Sequence, residues 1–223
     1  MGLMRDAAWR VIQSVPGEFW RGITWLGDSG LLLPMALLIA LWLASSRRTW
    51  PSAALWIAVF GAASALVLLS KLAFLGWGIG SARMNFTGIS GHTMLAASIW
   101  PVALWLVVSR GPHRLRVMVA VAGWLLAAGI GLSRLGIYAH SWSEVTSGYL
   151  LGVATSATFL ALQRGMPHPA LRGWLVVLSL MLPMVHAEPG DAAPTQGLLE
   201  RVAIRLSGVD RPFTRADLHE PRA

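Results

Sequence analysis

Glu144 is the sole carboxylate between residues 29 and 187, and His140 stands four residues before it. On a helix that spacing puts both side chains on one face. A carboxylate beside an imidazole fixes the ring tautomer and stabilises the imidazolium. Arg134 lies six residues before His140, and Lys71 and the run Ser90-Gly91-His92 lie upstream. Guanidinium, ammonium, hydroxyl and backbone N–H groups all donate to phosphoryl oxygens, so this set suits a phosphate group. Each member also has an ordinary structural use. A histidine near the end of an apolar run fits an interface, and Lys71 fits a snorkelling anchor. Ser90 fits a helix cap, Arg134 a topology residue, and Glu144 a cap or an ion-pair partner. The combination is what points to chemistry. His113, His168, His186 and His219 lie in arginine-rich loops, at a run end or in the tail, and receive no role.

The elements that must position these residues follow from composition. The chain has 223 residues, of which 55% are hydrophobic and 13% charged, with no cysteine and a net charge of +8. A soluble domain carries about 25% charged residues. A cytosolic globular enzyme and a disordered chain are therefore excluded. So are disulfides, thiolate metal sites and cysteine nucleophiles. The positive charge sits in short clusters between apolar runs, a pattern of membrane topology and not of nucleic-acid binding. A helix needs about 20 mainly apolar residues to cross a bilayer. Runs free of Asp, Glu, Lys and Arg occupy 29–46, 49–70, 84–109, 117–133, 145–163 and 173–187. They predict spans near 29–46, 51–71, 92–109, 117–134, 146–163 and 172–187. The last is short, contains Pro183, and fits either a span or an interfacial segment.

The expected fold is all-α: a polytopic membrane helix bundle of about six transmembrane helices, led by an amphipathic N-terminal helix. Residues 1–28 form that interfacial arm, with Trp9, Val11, Ile12, Phe19 and Trp20 among arginines. Residues 29–187 form the membrane-embedded domain, and 188–223 a polar C-terminal tail. The glycine-rich stretch between Lys71 and His92 breaks the helical pattern. Irregular backbone is not tolerated against lipid, so this stretch is an outside loop or lines a wet cavity. Arg47, Arg48, Arg110, Arg114, Arg116, Arg164 and Arg172 occupy the loops after spans one, three and five, whereas the alternate loops hold only Lys71, Arg83 and Arg134. The arginine-rich loops are expected in the cytoplasm. Lys71, His92, His140 and Glu144 then face outward.

Ser90-Gly91-His92, then Ser133-Arg134, five residues, His140, three residues and Glu144, resembles the type 2 phosphatidic acid phosphatase superfamily. That family carries K-x6-R-P, P-S-G-H and S-R-x5-H-x3-D. Here Glu144 replaces the Asp, and Ile89 replaces the Pro before Ser90. The first motif is the poorest match: Lys71 is present, but the next arginine is Arg83, followed by Met84. Asn85 is an alternative donor. The resemblance spans about residues 25–163.

It implies that His140 attacks phosphorus to form a phosphohistidine and that Glu144 orients His140. It implies that His92 protonates the leaving oxygen and then activates water. Lys71, Arg134, Ser90, Gly91 and Arg83 would hold the phosphoryl oxygens. No metal or other cofactor is expected, since one core carboxylate does not build a magnesium or calcium site. The implied substrate is a phospholipid or polyprenyl phosphate in the bilayer: undecaprenyl diphosphate, phosphatidylglycerol phosphate, phosphatidic acid or a lipid A phosphate. The implied location is a bacterial inner membrane with the site facing the periplasm, and nucleic acid is not an expected partner. A lipid-to-lipid phosphotransferase would use the same first step. Outside this chemistry, a transporter would use His140, Glu144 and Arg134 as a proton relay, and a non-catalytic scaffold would only bind phospholipid. Sequence alone gives no oligomeric state.

Overall fold

The computed structural model describes residues 9–10, 12–167, 172–186 and 195–220, apart from the side chains of 182–186. The boundary expected at 187/188 and His168 lie outside the described residues, as do residues 1–8 and Val11 of the arm. The principal helices among the described residues are α1 (Gly17–Trp25), α2 (Ser29–Ala44), α3 (Trp50–Trp77), α4 (Gly91–Val107), α5 (His113–Gly136), α6 (Trp142–Leu162), α7 (Gly173–His186), α8 (Thr195–Ser207) and α9 (Arg215–His219). Among the described residues there is no strand, only an isolated bridge between Ser81 and Phe86.

Local chemistry sets the boundaries. Asp28 caps α2, its carboxylate accepting from the Gly30 N–H at 2.6 Å. Pro51 stands in the first turn of α3, where a missing N–H costs nothing. Gly78, at φ +67°, ends α3 as a left-handed cap. Its N–H donates to Phe74 O, and the Ile79 N–H donates to Ala73 O.

Gly17–Ala44, Arg47–Trp77, His113–Gly136 and Trp142–Gly165 are long and apolar enough to cross a membrane. They present Leu37, Leu41, Ile57, Leu69, Met118, Leu125 and Leu150 outward. Exposed leucines in this density suit lipid, and the chain is a multi-pass membrane protein. The first of these stretches joins α1 to α2 through the turn before Asp28. Helix α1 also packs on α5, where the Thr24 and Ser133 hydroxyls share a hydrogen bond at 2.7 Å.

Helix α4, with 17 residues, lies at the centre. Thr93 to Ala97, Ile99, Val102, Ala103 and Leu106 are all buried. Helix α7 has 14 residues, about 21 Å at 1.5 Å per residue, against a hydrocarbon thickness of about 30 Å.

Two glycines bring α6 onto α4. A Cβ at Gly148 would lie 2.6 Å from Ser90 O, and one at Gly152 would lie 2.5 Å from Met94 O. Small residues permit such backbone contact between membrane helices. This contact fixes the start of α6 beside the start of α4, where the Ser90 N–H donates to Glu144 O at 3.1 Å. Gly148→Val should therefore destabilise the bundle by about 1–3 kcal/mol through overpacking. Gly61→Val should not, because nothing lies within 4 Å of a Cβ there. Thermal unfolding of the two detergent-purified variants checks this, and equal midpoints would contradict it.

Candidate active site

A cavity of about 1040 Å³ opens at the end of the bundle where α3 and α5 finish and α4 and α6 begin. His92, His140, Lys71, Arg134 and Gly91 all line it. Glu144 stands behind His140 with no exposed surface. The cavity also meets Thr87, Gly88, Asp28 and Arg215.

The His140–Glu144 pair forms differently from the expected shared helix face. His140 precedes α6, and Ser141 is the N-cap. Glu144 is the third residue of the helix and closes a capping box with Ser141. Its carboxylate folds back over the helix start, accepting from the Ser141 N–H at 3.0 Å and from His140 Nδ1 at 2.8 Å. The Thr87 N–H and hydroxyl donate to Oε1 at 2.7 and 2.6 Å. An ionised carboxylate only accepts, so the ring proton sits on Nδ1 and the lone pair on Nε2. Burial holds the His140 pKa below the ordinary histidine value, against the opposing pull of the Glu144 hydrogen bond.

The five residues between Arg134 and His140 form a tight exit from α5. The Ala139 and His140 N–H groups both donate to Arg134 O, at 3.0 and 3.3 Å, and Tyr138 adopts φ +57°. This turn returns His140 to the level of Arg134. The Arg134 Nε is buried without a hydrogen-bond partner. A buried orphan guanidinium donor on a cavity wall is suited to an anion.

Lys71 was expected at the end of its span, but α3 continues to Trp77. Its ammonium reaches the start of α4, since a Cβ at Gly91 would lie 3.9 Å from Lys71 Nζ. The loop before α4 crosses Lys71 closely. Gly88 sits there at φ +141°, where a Cβ would come within 3.2 Å of Lys71 Cγ. Ser90 is buried, and its hydroxyl pairs with Thr93 Oγ1 at 2.9 Å. Arg83 is exposed in the 3-10 turn Ala82–Met84 and is absent from the cavity wall.

Three contributors were not anticipated from sequence. Asp28 Oδ2 lies 3.5 Å from His92 Nε2. Thr87 supplies two donors to Glu144. Arg215, from the C-terminal segment, places Nη2 2.9 Å from both Glu144 oxygens. Asp28 carried one signal: it is a carboxylate beside the first apolar run. Arg215 carried none, being 71 residues from Glu144.

Residues 77–165 match the sequence profile of the PAP2 superfamily. Phosphatidylglycerophosphatase B of Bacillus subtilis (strain 168) is 31% identical over 147 residues, covering 61% of this chain and 70% of that protein. The chain belongs to the PAP2 superfamily. A second relative of this PAP2 protein is named "Uncharacterized 22.5 kDa protein in cps region", from Klebsiella pneumoniae. It is 44% identical over 208 residues, covering 90% of this chain and 98% of that one. The crystal structure of a transmembrane PAP2 type phosphatidylglycerolphosphate phosphatase from Bacillus subtilis matches with a TM-score of 0.55 at 25% identity. That match covers 73% of this chain and 85% of the other. This PAP2 protein is thus related to membrane lipid phosphatases.

Proposed function

We propose that this PAP2 protein hydrolyses a lipid phosphate or diphosphate through a phosphohistidine on His140, without a metal. One observation carries the reading. Glu144 holds His140 Nδ1 at 2.8 Å, which turns Nε2 towards a cavity shared with His92, Lys71 and Arg134. In the first step Nε2 attacks the terminal phosphorus and its bond to the leaving oxygen breaks, that oxygen being the lipid alcohol's in a monophosphate and the inner phosphate's in a diphosphate. His92 gives its proton to that oxygen. In the second step water attacks the phosphorus and the N–P bond breaks. His92 takes the water proton, and inorganic phosphate leaves. Lys71, Arg134 and the Gly91 N–H stabilise the charge spread over the equatorial oxygens. Asp28 steadies the protonated His92.

Phosphatidylglycerol phosphate is the first substrate we would offer, a choice supported by kinship with phosphatidylglycerophosphatase B. Undecaprenyl diphosphate, phosphatidic acid and lipid A phosphates follow. The arginine-rich loops at the opposite end of the helices support a periplasmic site in an inner membrane.

The attacking imidazole must be neutral. Because burial lowers the His140 pKa, the acid limb of kcat/KM should fall below about 6.5, the ordinary histidine value. A limb above that value would contradict the assignment.

The reading is tested by phosphate release from detergent-purified protein offered each of the four lipids with EDTA present. Release is expected from at least one, and vanadate, which mimics five-coordinate phosphorus, should inhibit it. Release that needs added metal, or that persists in excess vanadate, would overturn the proposal.

A further inference from the structure

Residues 195–220 lie at the site as a strap. Helix α8 packs on α3, with Ala203 and Leu199 against Phe74 and Leu75. The Phe213 N–H donates to Leu75 O at 2.9 Å, and the Phe213 ring sits on Gly78 so closely that a Cβ there would lie 2.9 Å from it. Thr214 and Asp217 then form a capping box that starts α9. Arg215 projects from this turn onto Asn85, Thr87 and Glu144. Its Nη1 donates to Asn85 O and Oδ1, both at 2.8 Å. Its Nη2 bridges the two Glu144 oxygens and reaches Thr87 Oγ1 at 3.3 Å. The motif K-x6-R, counted from Lys71, places its arginine at position 78, which is Gly78 here. The strap docks on that glycine and carries its own guanidinium inward.

We propose that Arg215 is a positioning residue of the reaction: it holds the Glu144 carboxylate against His140 and offsets its charge, so that the imidazole stays neutral for attack. This rests on the reading of His140 as nucleophile. A carboxylate without solvent contact needs compensating charge. The other charged groups around the pair are Lys71 on α3, His92 on α4, Arg134 on α5, His219 on α9 and Asp28 before α2. Lys71, Arg134 and Arg215 all line the cavity, and among the described residues Arg215 is the one whose guanidinium hydrogen-bonds both Glu144 oxygens.

The test measures kcat, KM and the pH profile of Arg215→Ala and Arg215→Lys in the full chain, with phosphatidylglycerol phosphate in detergent as the probe and His140→Ala alongside. In Arg215→Ala, kcat should fall about 10–100-fold, by analogy with the loss when a partner that orients a metal-ligating side chain is removed, with KM little changed. The acid limb should move to higher pH, because the uncompensated carboxylate favours the imidazolium. Low, non-denaturing guanidinium should restore part of the rate. Arg215→Lys keeps the charge and loses the bridge, so it should fall between. A folded Arg215→Ala with wild-type kcat and an unmoved limb would overturn the proposal. If the alanine variant does not fold, the lysine variant with wild-type kcat and limb would do so. An active His140→Ala would instead overturn the nucleophile assignment and carry this proposal with it.

Discussion

His140→Ala is expected to lower phosphate release by at least about 10⁴-fold, with KM nearly unchanged. The size follows from the absence of a substitute. His92 is the other histidine on the cavity wall, and its Nε2 faces Asp28 at 3.5 Å. Lys71 and Arg134 remain to bind phosphate, so affinity should survive while turnover does not. Steady-state phosphate release at saturating lipid reads both quantities. A His140→Ala protein with a few per cent of wild-type kcat would show that another group attacks phosphorus.

Glu144→Gln should cost about 10³–10⁴-fold in kcat, in line with the loss seen when a buried carboxylate behind a catalytic histidine becomes an amide. The amide brings donors to a position surrounded by donors. Thr87 offers its N–H and hydroxyl, Ser141 its N–H, and Arg215 its guanidinium. One buried donor is left unpaired, at roughly 1–3 kcal/mol, so the unfolding temperature should also fall. Removal of the anion disfavours the imidazolium, and the acid limb should move to lower pH. This is opposite in sign to the shift expected for Arg215→Ala, so the two variants separate orientation from charge. A Glu144→Gln protein with near wild-type kcat would remove Glu144 from the mechanism.

The bundle was readable because charge is so sparse. The runs between Lys and Arg predicted spans that agree with α2 and with α4 to α6 within a few residues. Helix α3 runs six residues past Lys71, because Leu72 to Trp77 continue the apolar pattern beyond one charge. Lys71 therefore reaches the cavity from within a helix. The closeness of His140 and Glu144 was legible from spacing, but its cause was not. The spacing suggested a helix face, whereas the Ser141 capping box produces the contact. Arg83 was a candidate only because it is the nearest cation after Lys71. Counting along the chain does not show that the 3-10 turn at Ala82–Met84 holds it in solvent. Asp28 and Arg215 belong to segments that looked like an arm and a tail. Their roles arise from chain returns: α1 packing on α5, and the strap docking on Gly78. A single sequence carries no period or motif for such long-range contacts.

A covalent phosphate on His140 is the intermediate on which this chemistry turns. The direct measurement is rapid quenching of the protein during turnover of lipid labelled in its terminal phosphate, followed by peptide mapping. Acid-labile, base-stable label is expected on the peptide holding His140. It should be absent from His140→Ala, and it should accumulate in His92→Ala with a phosphate-type leaving group, because water is then poorly activated. Rapid turnover with no label at any time point, or label on a different residue, would contradict it.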